Sequence, residues 1–161
     1  MIQKLHHSAY RCRDSEQTRR FYEDFLGLPL AGSLWIQQTK TGRETAVLHT
    51  FYELDDGSYI AFFEDPATPF DFSPQRDFDL HLALEVDEAQ LEPMLEKGRK
   101  AGLEVRGITD HGFIHSIYLR DPNGYVIELA ARMPDHATAM DPSRNEARAI
   151  LDRWQASKQT N

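Results

Sequence analysis

The sequence predicts an α+β fold in which a βαβββ pattern occurs twice and is followed by a C-terminal helix. Three observations lead to this prediction. Apolar and polar residues alternate with period two in short segments, as in strands that bury one face. Each half opens with such a segment followed by an amphipathic helical one, and the two halves can be aligned with each other. Turn sequences rich in Asp, Asn, Gly and Pro separate the remaining strands.

The first module begins with strand-like alternation over residues 5–12. Asp14 follows as the N-cap of a helix, and Gly27 is the glycine expected at its end. A turn at Asp55-Asp56-Gly57 separates the last two strand candidates, and three prolines within 65–74 predict a linker over 65–77. The strands expected after the helix cover about 29–38, 44–53 and 58–64.

The second module repeats this order. A strand ends at Val86, Asp87 opens a helix that runs to Gly102, and the turn Asp121-Pro122-Asn123-Gly124 precedes the last strand. The later strands are expected at about 103–109, 113–120 and 125–131. These boundaries predict one domain over 1–136, with modules at about 3–65 and 78–132, and a helical tail over 137–161.

The aligned halves place chemically similar residues in equivalent positions. His7 aligns with His81, and the segment from Gly57 aligns with that from Gly124, so that Ala61 occupies the position of Glu128. Period-two alternation directs His81, and by the repeat His7, away from the helix-covered face. Glu128 also points away, because Ile127 and Leu129 face the helix. His6 is expected on the helix side, as a packing residue.

Composition restricts the partners. With 18 Lys and Arg against 26 Asp and Glu, the chain has a net charge of −8, which disfavours nucleic acid and anionic membrane surfaces. Its one cysteine, Cys12, cannot form an internal disulfide. Neither a signal peptide nor a membrane-spanning run is visible, so we expect a soluble, cytoplasmic protein.

Two histidines and one carboxylate share the non-core faces of three predicted strands. Each of His7, His81 and Glu128 alone would be an ordinary exposed polar residue. Together they match the 2-His-1-carboxylate arrangement, which leaves positions open on a divalent metal such as Fe(II). Mn(II), Zn(II) and Ni(II) are chemically possible alternatives.

The sequence resembles the vicinal oxygen chelate superfamily, which includes glyoxalases, extradiol dioxygenases and fosfomycin and bleomycin resistance proteins. The resemblance lies in four segments: LHHSAY at 5–10, FYEDFLGL at 21–28, LHLALEV at 80–86 and DPNGYVIEL at 121–129. It covers roughly residues 3–132. The resemblance implies paired βαβββ modules that form a cup-shaped mixed sheet around one metal, with ligands on the first and last strand of each module.

One of the four ligand positions of the superfamily is empty in this sequence. The positions correspond to His7, Ala61, His81 and Glu128, and alanine has no ligating side chain. Three ligands resemble the extradiol dioxygenases and fosfomycin resistance enzymes more than the lyases. Tyr118 precedes Glu128 by ten residues, the spacing of an active-site tyrosine in extradiol enzymes.

These features predict an extradiol-type dioxygenase that acts on a catechol-like small molecule. Tyr118 would assist the bound oxygens, and either His111 or His115 would be the acid/base, since imidazole titrates near neutrality. The alternatives are a lyase, isomerase or resistance transferase with another metal, and a protein that sequesters a drug.

The tail also predicts a homodimer. After a helix start at Asp141, an apolar stripe of Ala147, Ile150, Leu151 and Trp154 needs a cover, which either the sheet of the same chain or a second subunit can provide. The sequence leaves open whether the two modules of one cup belong to one chain or are exchanged between two.

Overall fold

The computed structural model describes residues 1–158 and has the predicted element order. Within these residues, eight strands form two four-stranded sheets, and the fold class of two βαβββ modules with a C-terminal helix is confirmed. The strands are β1 (His7–Cys12), β2 (Leu30–Gln38), β3 (Glu44–Glu53), β4 (Tyr59–Glu64), β5 (His81–Glu85), β6 (Val105–Asp110), β7 (Ile114–Arg120) and β8 (Val126–Arg132). The helices are α1 (Ser15–Arg19), α2 (Leu91–Lys100), α3 (His136–Ala139) and α4 (Ala147–Ser157).

The first helix follows the predicted signals at both ends. Asp14 Oδ1 accepts a hydrogen bond from the Gln17 backbone N–H at 2.7 Å, so the side chain caps α1. The helix continues with π-type geometry over Arg20–Phe25 and stops at Gly27, whose φ of +87° suits a glycine. Its buried face contributes Phe21 and Tyr22 to the core.

The first sheet has the strand order β1-β4-β3-β2, with β1 and β4 parallel and the other pairs antiparallel. Residues paired directly across strands share a face of the sheet. His7 pairs with Tyr59, and His49 pairs with Phe63. Through the further pairs along β1 and β4, this register puts His7 and His49 on the same face.

The turn between β7 and β8 packs among residues of the first module. Asp121 Oδ1 accepts from the backbone N–H groups of Asn123 and Tyr125, each at 2.8 Å. The Tyr22 hydroxyl donates to Asp121 Oδ2 at 3.1 Å, and the Arg13 backbone N–H donates to Asn123 Oδ1 at 2.9 Å. The predicted turn is therefore a buried polar network that fixes the loop against α1 and the end of β1.

The second sheet has the order β5-β8-β7-β6, with β6 and β7 antiparallel. A short 3₁₀ turn, Glu88–Gln90, leads into α2. The chain divides into two compact units. One contains Met1–His81 and Arg120–Val126, and the other contains Leu82–Leu119 and the described residues of 127–158.

The tail differs from the prediction in its start. The Asp141 side chain closes a turn by accepting from the Ser143 backbone N–H at 2.8 Å, and the helix α4 begins only at Ala147. A short helix, α3, precedes this turn and had no sequence signal. Among residues 1–158, none of the helices combines the length and the hydrophobicity that a membrane span requires.

Candidate functional site

His81 lies at the start of β5 with its tautomer set by the backbone. Its Nδ1 faces the carbonyl oxygen of Asp77 at 2.7 Å. A carbonyl oxygen can only accept, so Nδ1 carries the proton in this contact. In a neutral ring this leaves the lone pair on Nε2, which is the arrangement found in metal-binding histidines.

His7 opens β1 within a group of aromatic rings. Its ring centroid lies 5.7 Å from that of Phe51 and 6.3 Å from that of His49. The Nδ1 atoms of His7 and His6 lie 2.8 Å apart, so His6 contacts His7. The expected helix-side orientation of His6 is wrong, because β1 begins at His7 and strand alternation does not govern the residue before it.

His49 is a buried histidine that the sequence pattern did not single out. Only 7% of its surface is exposed, and its Nδ1 lies 3.0 Å from the carbonyl oxygen of Phe62. Its ring stacks on Phe63, with centroids 3.6 Å apart and an angle of 13° between the planes. Alternation along 44–53 could have assigned His49 a face, but only the pairing of β3 with β4 shows that this is the face of His7.

Tyr118, His111 and Glu128 come together in the second unit. The Tyr118 hydroxyl donates to Glu128 Oε1 at 3.3 Å and lies 2.9 Å from His111 Nε2. Glu128 is buried, with 4% of its surface exposed. The Arg106 guanidinium lies over the Tyr118 ring, 4.8 Å from its centroid, because the two residues pair directly across β6 and β7. This group therefore joins a phenol to an imidazole and a carboxylate.

His115 lies in a different environment. Three positions before Tyr118 on β7, it points to the opposite face. Its Nδ1 lies 3.4 Å from Glu88 Oε1, and its Nε2 lies 3.5 Å from Asp110 Oδ1. His115 thus contacts two surface carboxylates, whereas His111 contacts Tyr118.

Ala61 and Arg11 lie on the same face of the first sheet as His7. Ala61 is fully buried and pairs with Ala9 and Phe51. Arg11 Nη2 donates to the carbonyl oxygens of Asp65 and Thr68, both at 2.9 Å. A partly buried arginine needs polar partners, and these two carbonyl oxygens provide them.

The metal ligands proposed from the sequence divide between the two units. His7 and His81 belong to the first unit, and Glu128 belongs to the second. Within residues 1–158, no three His, Cys, Asp or Glu side chains form a group with metal-binding geometry. The donor types nevertheless suit a divalent cation, because the ring of His81 presents Nε2 and the buried Glu128 supplies a carboxylate.

Comparison with known proteins identifies the family. The sequence profile of the Glyoxalase/Bleomycin resistance protein/Dioxygenase superfamily matches residues 4–129. The chain belongs to this superfamily. The match covers both modules and ends before the tail, as the resemblance in the sequence implies. No curated protein matches the sequence.

Solved structures share the superfamily fold. A glyoxylase/bleomycin resistance protein/dioxygenase domain from Frankia sp. EAN1pec is 20% identical with a TM-score of 0.65, over 83% of this chain and all (100%) of that chain. A glyoxalase/dioxygenase from Nostoc punctiforme is 22% identical with a TM-score of 0.61, over 81% and 92%.

A third similar structure contains a metal. It is a mutant of the fosfomycin resistance protein FosX from Listeria monocytogenes, complexed with Mn(II) and 1S,2S-dihydroxypropylphosphonic acid. It is 19% identical with a TM-score of 0.64, over 85% of this chain and 98% of that chain. At these identities the three likenesses establish the fold, and a divalent metal is found in a protein that shares it.

Proposed function

We propose that this chain is a divalent-metal-dependent enzyme that cleaves the ring of a catechol-like small molecule, as an extradiol-type dioxygenase. The proposed ligands are His7, His81 and Glu128, with Fe(II) as the favoured metal. The main support for this reaction type is the position of the Tyr118 hydroxyl, which contacts both Glu128 and His111. It brings a proton-transferring pair next to a proposed ligand in a superfamily that includes dioxygenases.

The roles of the side chains follow from their contacts. A divalent iron held by three protein ligands would supply open positions for two adjacent substrate oxygens and for dioxygen. The Tyr118 hydroxyl would orient a substrate oxygen by hydrogen bonding, while its contact with Glu128 fixes the phenol. Because the Tyr118 hydroxyl donates to Glu128, His111 Nε2 donates to that hydroxyl, so His111 would take up a phenolic proton of the substrate through Nδ1. Because His115 contacts Glu88 and Asp110 instead, we assign the acid/base role to His111.

The first sheet offers an apolar surface beside the proposed ligand His7. The rings of Phe51, Tyr59, Phe63 and His49 share the face of His7. Aromatic side chains supply a flat apolar wall with specific stacking geometry, which suits a ring-shaped substrate better than a flexible chain. This lining favours a catechol over an aliphatic diol.

Oxygen uptake tests the proposal. The protein is reconstituted with Fe(II) without oxygen, then mixed with a panel of catechols in aerated buffer. We expect oxygen consumption with a yellow ring-opened product, and a His111→Gln variant that keeps its metal but reacts slowly. His115→Gln is the matched control and should react like the wild type. Absence of oxygen uptake with every catechol would contradict the dioxygenase assignment.

A second candidate function comes from the similar structure of FosX, whose complex contains Mn(II) and a dihydroxypropylphosphonic acid. The Arg106 guanidinium beside Tyr118 could pair with an anionic group such as a phosphonate. Incubation of the Mn(II)-loaded protein with fosfomycin, followed by mass spectrometry, distinguishes the two candidates. Addition of water to fosfomycin without oxygen uptake would favour this second function.

We also propose that the protein is a homodimer that uses the apolar face of α4. Ile150, Leu151 and Trp154 are 55%, 47% and 61% exposed, and α4 has no buried residue. The exposed apolar surface of these side chains amounts to roughly a few hundred Å², which is near the upper size of apolar patches on monomeric proteins. Reciprocal packing in a two-fold dimer would bury this face twice.

A further inference from the structure

The contact between His6 and His7 joins two neighbouring imidazoles through the same ring atom. Their Nδ1 atoms are 2.8 Å apart, and the ring planes meet at 79°. The His6 backbone is also fixed, because its carbonyl oxygen accepts from the Tyr59 N–H at 3.0 Å. His6 is therefore tied to the start of β4 while its side chain contacts the first residue of β1.

A hydrogen bond between two Nδ1 atoms requires a proton on one of them and a lone pair on the other. Two arrangements of neutral rings satisfy this requirement. If His6 donates, His7 Nδ1 is the acceptor, so the ring proton of His7 lies on Nε2. If His7 donates, the lone pair of His7 lies on Nε2. Only the second arrangement allows His7 to bind a cation through Nε2.

The second histidine of the proposed ligand set shows the same arrangement. His81 donates its Nδ1 proton to the Asp77 carbonyl oxygen and keeps its lone pair on Nε2. Outer partners of this kind fix the ring orientation of metal-binding histidines, and their loss typically weakens metal binding by about 10–100-fold. At His7 Nδ1 the ring of His6 stands in the place that a carbonyl oxygen takes at His81, and it provides the acceptor.

We infer that His6 is a positioning residue that accepts the Nδ1 proton of His7 and so presents His7 Nε2 to a divalent cation. The inference rests on the proposed function, because it assumes that His7 is a ligand. It assigns a role to His6, which strand periodicity predicts to be a packing residue. The two rings are exposed, so replacing His6 removes a hydrogen bond without removing part of the core.

Metal affinity tests the inference, with Mn(II) as the probe and electron paramagnetic resonance to count unbound Mn(II). We expect His6→Ala to raise the Kd about 10–100-fold. In His6→Asn, the side-chain oxygen can occupy the position of Nδ1 and accept the same proton, so its Kd should stay within about threefold of the wild type. His136→Ala is the matched control, since this histidine lies on α3 and should leave the Kd unchanged.

The outcomes separate this inference from the proposed function. Unchanged affinity in His6→Ala, together with lost binding in His7→Ala, would overturn the positioning role alone. Equal weakening in His6→Ala and His6→Asn would also overturn it, because the hydrogen-bond acceptor would then not matter. Retained binding in His7→Ala, or no binding by the wild type, would overturn the ligand assignment and the positioning role with it.

Discussion

Replacing Asp121 with alanine tests how much the buried turn that contains it stabilises the folded protein. The Asp121 carboxylate accepts from two backbone N–H groups, from the Tyr22 hydroxyl and from the Asn123 side-chain amide at 3.0 Å. Asp121, Asn123 and Tyr22 are 4%, 2% and 1% exposed, so water cannot easily replace the lost acceptor. Each buried donor left unpaired costs about 1–3 kcal/mol.

The expected loss is smaller than the sum of these costs. Removing the carboxylate also removes the cost of burying it, and the shortened side chain allows the turn to relax. Breaking a buried charged network typically costs about 3–5 kcal/mol, and we expect this range for the unfolding free energy of Asp121→Ala. Urea denaturation at neutral pH, followed by circular dichroism, measures the loss.

Asp141 provides a matched control. It forms a similar turn by accepting from the Ser143 backbone N–H at 2.8 Å and from its hydroxyl at 2.7 Å, but it lies on the surface. Asp141→Ala should therefore destabilise the protein much less than Asp121→Ala. A loss in Asp121→Ala no greater than that in the control would refute the argument from burial.

The Asp121 network also predicts a pH dependence. Burial raises the pKa of the Asp121 carboxyl above its ordinary value, although its hydrogen bonds act in the opposite direction. The folded state therefore binds this proton more tightly than the unfolded state. Its contribution to stability is complete below the ordinary pKa and declines as the pH rises through the raised value. The stability difference between wild type and Asp121→Ala should thus be largest at acid pH, near the ordinary pKa of an aspartate, and should decrease as the pH rises; an increase would contradict this.

Three further predictions concern the site, the backbone and the tail. Tyr118→Phe should keep its metal and lower the rate of oxygen uptake by roughly 10–100-fold, as expected for losing a hydrogen bond to a charged group; an unchanged rate would exclude a role for the hydroxyl. Gly107→Ala should destabilise the protein more than Gly112→Ala in urea. Both glycines have positive φ, but only at Gly107 would the added Cβ clash, since it would lie 2.7 Å from the Ser116 carbonyl oxygen. Trp154→Glu should convert a dimer to a monomer in light scattering, and a dimer of unchanged affinity would show that α4 lies outside the interface.

The elements of the fold could be predicted because local signals agree with tertiary packing. Asp14, Gly27 and the Asp55-Asp56-Gly57 turn specify ends and turns through their own side chains or φ values, and the structure uses them as expected. The ten-residue spacing of Tyr118 and Glu128, noted through the family resemblance, likewise corresponds to a contact, since the two side chains meet at 3.3 Å. Where the local preference of a residue agrees with the burial pattern around it, a single sequence is sufficient to predict the element.

Contacts that depend on how strands pair, or on the direction in which a side chain points, could not be predicted from the sequence. His49 shares the face of His7 only because β3 and β1 both pair with β4, which no local pattern encodes. His6 turns toward His7 because β1 begins one residue later, a boundary that alternation does not mark. The proposed assignment of the acid/base role to His111 rather than His115 likewise rests on the contact of His111 with Tyr118, which the sequence does not encode.

The most direct test of the proposed metal site is the metal content of Glu128→Ala beside that of the wild type. Both proteins are loaded with Fe(II) without oxygen, freed of loose metal and analysed by mass spectrometry, with circular dichroism to check folding. We expect about one Fe(II) per chain in the wild type and almost none in the folded variant, because a lost carboxylate removes one of three protein ligands. Stoichiometric Fe(II) in folded Glu128→Ala, or none in the wild type, would contradict the assignment of this site.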